Sequence, residues 1–134
     1  MTTNSTPNKF PATYTVQVKE KSNLLLRANL LDAQKNFDEA AELFARVAQM
    51  ESKLAEIARQ HGEPQIALVH LVSEMSCWAA AGDTYRALAL GQQILASTSL
   101  SPSQQSHVRS FVTQLNDRRR VWMESWHDMA PVAA

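Results

Sequence analysis

The stretch from Pro64 to Ala81, PQIALVHLVSEMSCWAAA, is apolar around most of its circumference when it is drawn as a helix. A helix of this kind has to be covered on several sides by neighbouring elements. It is also too short and too often interrupted by polar residues to span a bilayer, which needs about 20 mostly apolar residues. The sequence therefore predicts a central helix inside a small bundle that does not cross a membrane.

Composition supports a single helical domain. A chain of 134 residues can bury a proper core, and only three glycines among them favour helices over a turn-rich β fold. The 13 basic residues balance the 13 acidic ones, so no overall field favours nucleic acid or an anionic membrane. The single cysteine excludes an intrachain disulfide, and the start of the chain lacks the features of a secretory signal. We expect a cytoplasmic protein.

Start and stop signals divide the chain into five helices. Asn36 followed by Glu39 has the form of a capping box, and Gly62 and Gly82 suit the left-handed residue after a helix. Ser101, Pro102 and Gln104 give a second capping box with proline at the first helical position. The predicted helices cover residues 18–34, 37–60, 64–81, 84–96 and 102–126, with an apolar face on the last that includes Val108, Val112, Leu115 and Trp122.

The two ends of the chain have no clear periodicity. Tyr14, Val16 and Val18 alternate with polar residues, which is typical of a short strand, but no second strand candidate exists to pair with them. A helix start or an extended lead-in is favoured there. The predicted organisation is a flexible arm over residues 1–13, one helical domain over 14–126 and a tail over 127–134.

The long helix over 37–60 has an apolar stripe that Glu51 interrupts. Its stripe is formed by Phe37, Ala40, Phe44, Val47, Leu54 and Ala58. Such a stripe suits either burial in a monomeric bundle or a homodimer seam. The monomer is favoured, because the neighbouring helices need a surface on which to pack.

Two hairpins share a sequence theme. In NLLLRANLLDAQKNFDEAAELFARVAQ, the small residue Ala28 precedes a turn, Phe37 follows it, and Phe44 lies four residues after Ala40. The second hairpin, SEMSCWAAAGDTYRALALGQQIL, repeats the theme with an aromatic residue, a glycine turn and an alanine (Trp78, Gly82 and Ala87).

This pattern resembles the tetratricopeptide repeat (TPR) over residues 24–95. Gly91 departs from the family pattern, which has a bulky residue there, and Ala40 and Ala87 are further apart than the usual 34 residues. The resemblance implies an all-α fold of about five antiparallel helices in TPR-like or α-solenoid hairpins. It also implies a non-catalytic adaptor, chaperone or regulator that receives a peptide or helix of a partner protein in a groove.

A polar stripe on the central helix is one candidate site. His70, Ser73, Glu74 and Cys77 share one helical face. In the predicted groove, His70, Ser73 and Glu74 would contact the partner. Alternatively, the stripe is merely the solvent edge of the helix, or His70, Glu74 and Cys77 bind a metal.

The end of the last helix is the other candidate site. Trp122 and Trp126 follow Arg118–Arg120, and Trp and Arg often dominate interface energetics. We predict that both tryptophans anchor a protein partner. The alternatives are RNA binding, a packing strap over the bundle, and simple dipole complementation by the arginines.

No motif of an enzyme is present in the sequence: there is no phosphate-binding glycine loop, nucleophile elbow or zincin motif. The single Glu124-x-x-His127 lacks the second copy that di-iron bundles have. We therefore predict a protein without catalytic activity or cofactor. A bundle that binds a metal or small ligand, or a structural subunit of a larger assembly, remains as the alternative.

Overall fold

A computed structural model describes residues 10–97 and 99–129, with side chains up to residue 126. These residues form only α-helices, which confirms the predicted all-α class. The helices are α1 (Ala12–Ala33), α2 (Phe37–Gln60), α3 (Pro64–Ala80), α4 (Thr84–Leu95) and α5 (Pro102–Met129). None of them, over the described residues, has an apolar run sufficient to cross a membrane.

Helices that are consecutive in the chain pack against each other, and the contact between α2 and α3 is the most extensive. Short turns between α1 and α4 make consecutive helices antiparallel. Small side chains recur in the shared core, which allows the helices to approach closely. The core residues are Ala28, Ala40, Phe44, Val47, Ala48, Leu68, Met75, Cys77, Trp78, Ala87, Leu88, Ile94, Val108, Val112 and Leu115.

The first three turns have one geometry. Lys35, Gly62 and Gly82 each adopt a positive φ, of 66°, 72° and 87° respectively. The amide after each of them bonds at 2.9 Å to a carbonyl five residues earlier, which closes a Schellman turn. The stops predicted at both glycines are confirmed. The left-handed lysine is unexpected, because a side chain disfavours this backbone region.

Side chains cap α4 and α5, and the capping box predicted at Ser101 and Gln104 is confirmed. Ser101 Oγ accepts from the amide of Gln104 at 3.1 Å, and the Gln104 side chain accepts from the Ser101 amide at 2.9 Å. Asp83 accepts from the amide of Arg86 at 3.0 Å, so it caps α4. Asn36 makes no side-chain capping bond, and the capping box predicted there is wrong.

The first helix begins earlier than the predicted residue 18. α1 starts at Ala12, after Pro11, so the alternating residues from Tyr14 onward are helical. Phe10 stacks on the Tyr14 ring with centroids 4.3 Å apart, which fixes this end. Residues 12 and 13 of the predicted arm are therefore helical, and residues 1–9 lie outside the described part. Of the predicted tail, residues 127–129 continue α5, and residues 130–134 also lie outside it.

The stripe on α2 is buried against its neighbours, with two exceptions to the prediction. Phe37 is 60% exposed, whereas Glu51, the residue that interrupts the stripe, is fully buried. The outward face of α2 is polar and includes Arg46, Gln49 and Lys53. The buried part of the apolar stripe is therefore used by the fold of the single chain.

The last helix is packed over only part of its length. Val108, Val112 and Leu115 are buried, but every described side chain from residue 116 to 126 is exposed. The predicted burial of Trp122 is therefore wrong. The physical reason is the short partner helix: α4 begins at Thr84, so α5 runs past its end without a covering neighbour.

Candidate functional site

The polar stripe of α3 faces the interior. Glu51 of α2 accepts a hydrogen bond from His70 Nδ1 at 2.8 Å, and Lys21 Nζ of α1 lies 3.5 Å from the other carboxylate oxygen. Tyr14 Oη lies 2.7 Å from His70 Nε2. These four side chains, which we call the Glu51 cluster, link the first three helices through polar contacts.

The tautomer of His70 follows from its partners. A carboxylate can only accept, so Nδ1 carries the proton that is shared with Glu51. In the neutral ring, Nε2 then accepts from the Tyr14 hydroxyl. Both nitrogens of this buried ring are occupied, so in this arrangement His70 is not available to a partner.

Opposing effects set the ionisation of Glu51. Burial raises its pKa, but the hydrogen bond from His70, the nearby Ser73 hydroxyl and the positive charge of Lys21 outweigh burial. The pKa of Glu51 therefore lies below its ordinary value, and the carboxylate stays ionised inside the protein. Burial, followed by the charge of Glu51, raises the pKa of Tyr14. The phenol is therefore protonated at neutral pH, as an ordinary tyrosine is, and can donate to His70 Nε2.

Glu74 is occupied by a second set of contacts. It accepts a hydrogen bond from Trp78 Nε1 at 3.0 Å, and the Arg86 guanidinium lies 4.5 Å from the centre of the Trp78 ring. Arg86 in turn pairs with Asp83 at 3.4 Å. Burial and the charge of Glu51 raise the pKa of Glu74 in spite of the Trp78 bond. These contacts join α3 to the start of α4.

The alternative metal site does not form. Cys77 is buried, and burial followed by the charge of Glu51 raises its pKa to about 11, which keeps the thiol protonated. Within the described residues there is no group of three or more His, Cys, Asp or Glu side chains that could hold a metal. His70, Glu74 and Cys77 are therefore not assembled as ligands. The stripe is not a solvent edge either, because His70 and Cys77 are buried and Ser73 and Glu74 half-buried.

The outer half of α5 presents the other candidate site. Trp122 and Trp126 are 63% and 65% exposed, and their rings stack on each other with centroids 6.2 Å apart. Val121 and Met123 are exposed beside them. The predicted anchors thus lie on the surface, and the alternative of a packing strap over the bundle is wrong for these residues.

An open hollow of about 550 Å³ lies between this part of α5 and the start of α4. We call the hollow together with Trp126 the α4–α5 surface. The hollow is lined by Gly82, Asp83, Thr84, Tyr85, Arg118, Arg119 and Trp122. Its lining combines aromatic rings with two guanidinium groups, a composition typical of protein interfaces.

A second hollow lies between α3 and the first half of α5. It has a volume of about 330 Å³ and is mostly apolar, with Leu68, Val69 and Val72 on one wall and Val108 on the other. Gln65 and Gln104 bridge the same two helices by a hydrogen bond of 3.3 Å. Its lining includes no carboxylate, lysine or arginine to orient a ligand.

Sequence reasoning missed Glu51 and Tyr14. The one signal in the sequence was Glu51 inside the apolar stripe of the long helix. A buried carboxylate needs a polar partner, but the sequence does not identify which residue that is. The hydroxyl of Tyr14 reaches His70 across 56 residues of sequence, so no local pattern links them.

We compared the chain with family models, curated proteins and solved structures, and none of the three comparisons finds a match.

Proposed function

We propose that this protein is a non-catalytic interaction module that binds a peptide or helix of a partner protein on the α4–α5 surface. One observation carries the proposal: the outer half of α5 exposes two stacked tryptophans beside an open hollow, and the fold leaves them uncovered. An adaptor, chaperone or regulator acts through a surface of this kind.

The energetics of interfaces support this choice. Large apolar side chains in contact with water are unfavourable, and contiguous exposed patches mark interaction sites more often than chance. Tryptophan, tyrosine and arginine are the residues most enriched among interface hot spots. Trp122, Tyr85, Arg118 and Arg119 meet at one hollow, so a single partner segment can contact all four.

The arrangement of the helices is compatible with the TPR-like interpretation, which remains part of the proposal. Consecutive helices pack in chain order, and the small residues that carry the resemblance, Ala28, Ala40 and Ala87, lie at buried helix contacts. In such an array, a helix that is packed by a neighbour on only one side has an open face. The proposed contact surface lies there, rather than on the polar stripe of α3.

The test compares exposed aromatic residues on different helices. The Trp122→Ala/Trp126→Ala double variant should lose a binding partner in pull-downs from native lysate, whereas Phe37→Ala should retain it, since Phe37 is similarly exposed but lies on α2 and does not line the hollow. The partner is then purified and titrated by calorimetry. We expect the double variant to weaken binding by at least about 100-fold, because hot-spot truncation costs about 2 kcal/mol or more per residue.

Equal affinity of wild type and the double variant for the purified partner would show that the α4–α5 surface is not the contact. Circular dichroism should show the same helicity for all three proteins, because the replaced side chains are exposed.

A further inference from the structure

We infer that the partner segment is acidic: it places an apolar side chain in the hollow beside Trp122 and directs carboxylates to Arg118 and Arg119. This inference rests on the proposed function and names the chemistry of its partner.

The charges around the hollow are unbalanced. Arg118 and Arg119 line it, and among the side chains that the structure describes neither forms an ion pair. Arg120 is different, because it lies 3.7 Å from Asp117 on the same helix. Two guanidinium groups therefore remain for a ligand. A guanidinium binds carboxylates through parallel hydrogen bonds, which gives both strength and orientation.

The carboxylate in the hollow is already occupied. Asp83 accepts from the amide of Arg86 at 3.0 Å and pairs with its guanidinium at 3.4 Å, so it does not neutralise Arg118 or Arg119. Glu124 lies one turn beyond Arg120 and is not part of the lining. The positive charges of Arg118 and Arg119 in the lining of the hollow are therefore not neutralised by Asp83 or Glu124.

The apolar part of the site fits a side chain rather than a flat surface. A hollow of about 550 Å³ is within the range of pockets that enclose small organic groups. Tyr85 is 78% exposed, and together with Trp122 it provides two aromatic walls. An aliphatic or aromatic side chain flanked by Asp or Glu satisfies both the rings and the guanidinium groups.

Two other occupants fit less well. A nucleic acid would gain little, because only two arginines line the hollow, the chain is neutral overall, and the tryptophans already stack on each other. In a symmetric contact, a second copy would bring the same two guanidinium groups to the interface. Like charges there would repel, so the surface favours an acidic segment of a different protein.

Selection from a library of random 12-residue displayed peptides tests the inference and does not require the partner to be identified. The bait is the full chain in four forms: wild type, Trp122→Ala/Trp126→Ala, Arg118→Glu/Arg119→Glu, and the control Arg46→Glu/Lys53→Glu. The control reverses two charges on α2 and leaves the hollow intact.

Wild type and the α2 control should enrich the same peptides, in which Asp or Glu flanks an aliphatic or aromatic residue. Their synthetic versions should bind the Arg118→Glu/Arg119→Glu variant at least about tenfold more weakly, because reversal replaces attraction with repulsion. The dissociation constant should also rise with salt. That variant should itself select basic peptides.

The possible failures are distinguishable. Peptides without an acidic bias, or equal affinity for the Arg118→Glu/Arg119→Glu variant, would overturn the acidic partner and leave the proposed function standing. Equal enrichment by wild type and the tryptophan variant would overturn both. Self-association that the arginine variant abolishes, or tighter binding of a 20-nucleotide single-stranded RNA than of the selected peptides, would also overturn the inference.

Discussion

The Glu51 cluster and the α4–α5 surface differ in whether their polar and aromatic side chains have partners within the protein. In the cluster, a carboxylate, an imidazole, a phenol and an ammonium group contact one another across three helices. Both His70 nitrogens and one Glu51 oxygen are hydrogen-bonded, and Lys21 Nζ lies 3.5 Å from the other oxygen. On the α4–α5 surface, the tryptophans and two guanidinium groups face solvent. Polar residues at the core thus serve the architecture, and the proposed contact lies on the part of α5 that the fold does not cover.

A comparison of two tryptophans should show the largest effect. Trp78 is buried and donates to Glu74, whereas Trp126 is exposed. We expect Trp78→Ala to reduce the free energy of unfolding by about 4 kcal/mol, and Trp126→Ala by less than about 0.5 kcal/mol. Urea denaturation followed by circular dichroism measures both. A loss above about 2 kcal/mol for Trp126→Ala would mean that the outer half of α5 is part of the core.

Removal of the central carboxylate should have the next largest effect. Glu51→Ala leaves His70 and Lys21 without their buried partner, so we expect a loss of about 3 kcal/mol in the free energy of unfolding. The matched control is Glu124→Ala, an exposed glutamate whose removal should cost less than about 0.5 kcal/mol. Similar values for the two variants would contradict the structural role of the cluster. Chemical denaturation is again the measurement.

The packing between α4 and its neighbours gives a smaller effect. A Cβ atom added at Gly91 would lie 2.5 Å from Val112 Cγ2 and 3.2 Å from Met75 Sδ. We expect Gly91→Ala to cost about 1 to 3 kcal/mol by overpacking, even though alanine is the better helix former. The space at this position therefore does not admit a bulky side chain.

A double-mutant cycle checks the cause of that effect. In the background of Val112→Ala, which removes the closest contact, Gly91→Ala should cost less than in the wild type. Thermal or urea unfolding of the four proteins gives the coupling energy. An additive result would assign the effect to something other than this contact.

The smallest effect should be a pH dependence of opposite sign at the buried Glu51 and the half-buried Glu74. The pKa of Glu51 is lowered on folding, so its contribution to stability is present above the unfolded pKa and is lost as pH falls through the folded pKa. The pKa of Glu74 is raised by burial, so its contribution is present below the unfolded pKa and is lost as pH rises through the folded pKa.

The Glu74→Gln variant keeps an oxygen acceptor for Trp78 but does not titrate. We therefore expect it to be slightly more stable than wild type at neutral pH, by less than about 1 kcal/mol because the group is half-buried. The advantage should disappear toward about pH 4, near the ordinary pKa of glutamate. Unfolding curves from about pH 4 to 8 measure it, and a constant difference across that range would contradict the raised pKa.

Local features of the fold could be predicted from the sequence, and long-range ones could not. Ser101 and Gln104 form a capping box within a single turn of the chain, so the sequence pattern and the hydrogen bonds coincide. Whether Trp122 is buried or exposed does not follow from the apolar period of α5 alone, because it depends on how far α4 extends beside α5. The inward direction of the α3 stripe depends on Tyr14 and Glu51, which lie in other helices.

The uncovered half of α5 also has a consequence for dynamics. A helical segment with few tertiary contacts is only marginally stable, so its amides should open by local fraying and exchange hydrogen for deuterium far faster than those of α2 and α3. Because the segment is already helical, a partner that binds it loses less conformational entropy than one that folds a disordered chain. Slower exchange of these amides in a complex would report the free energy that the partner contributes to holding the helix closed.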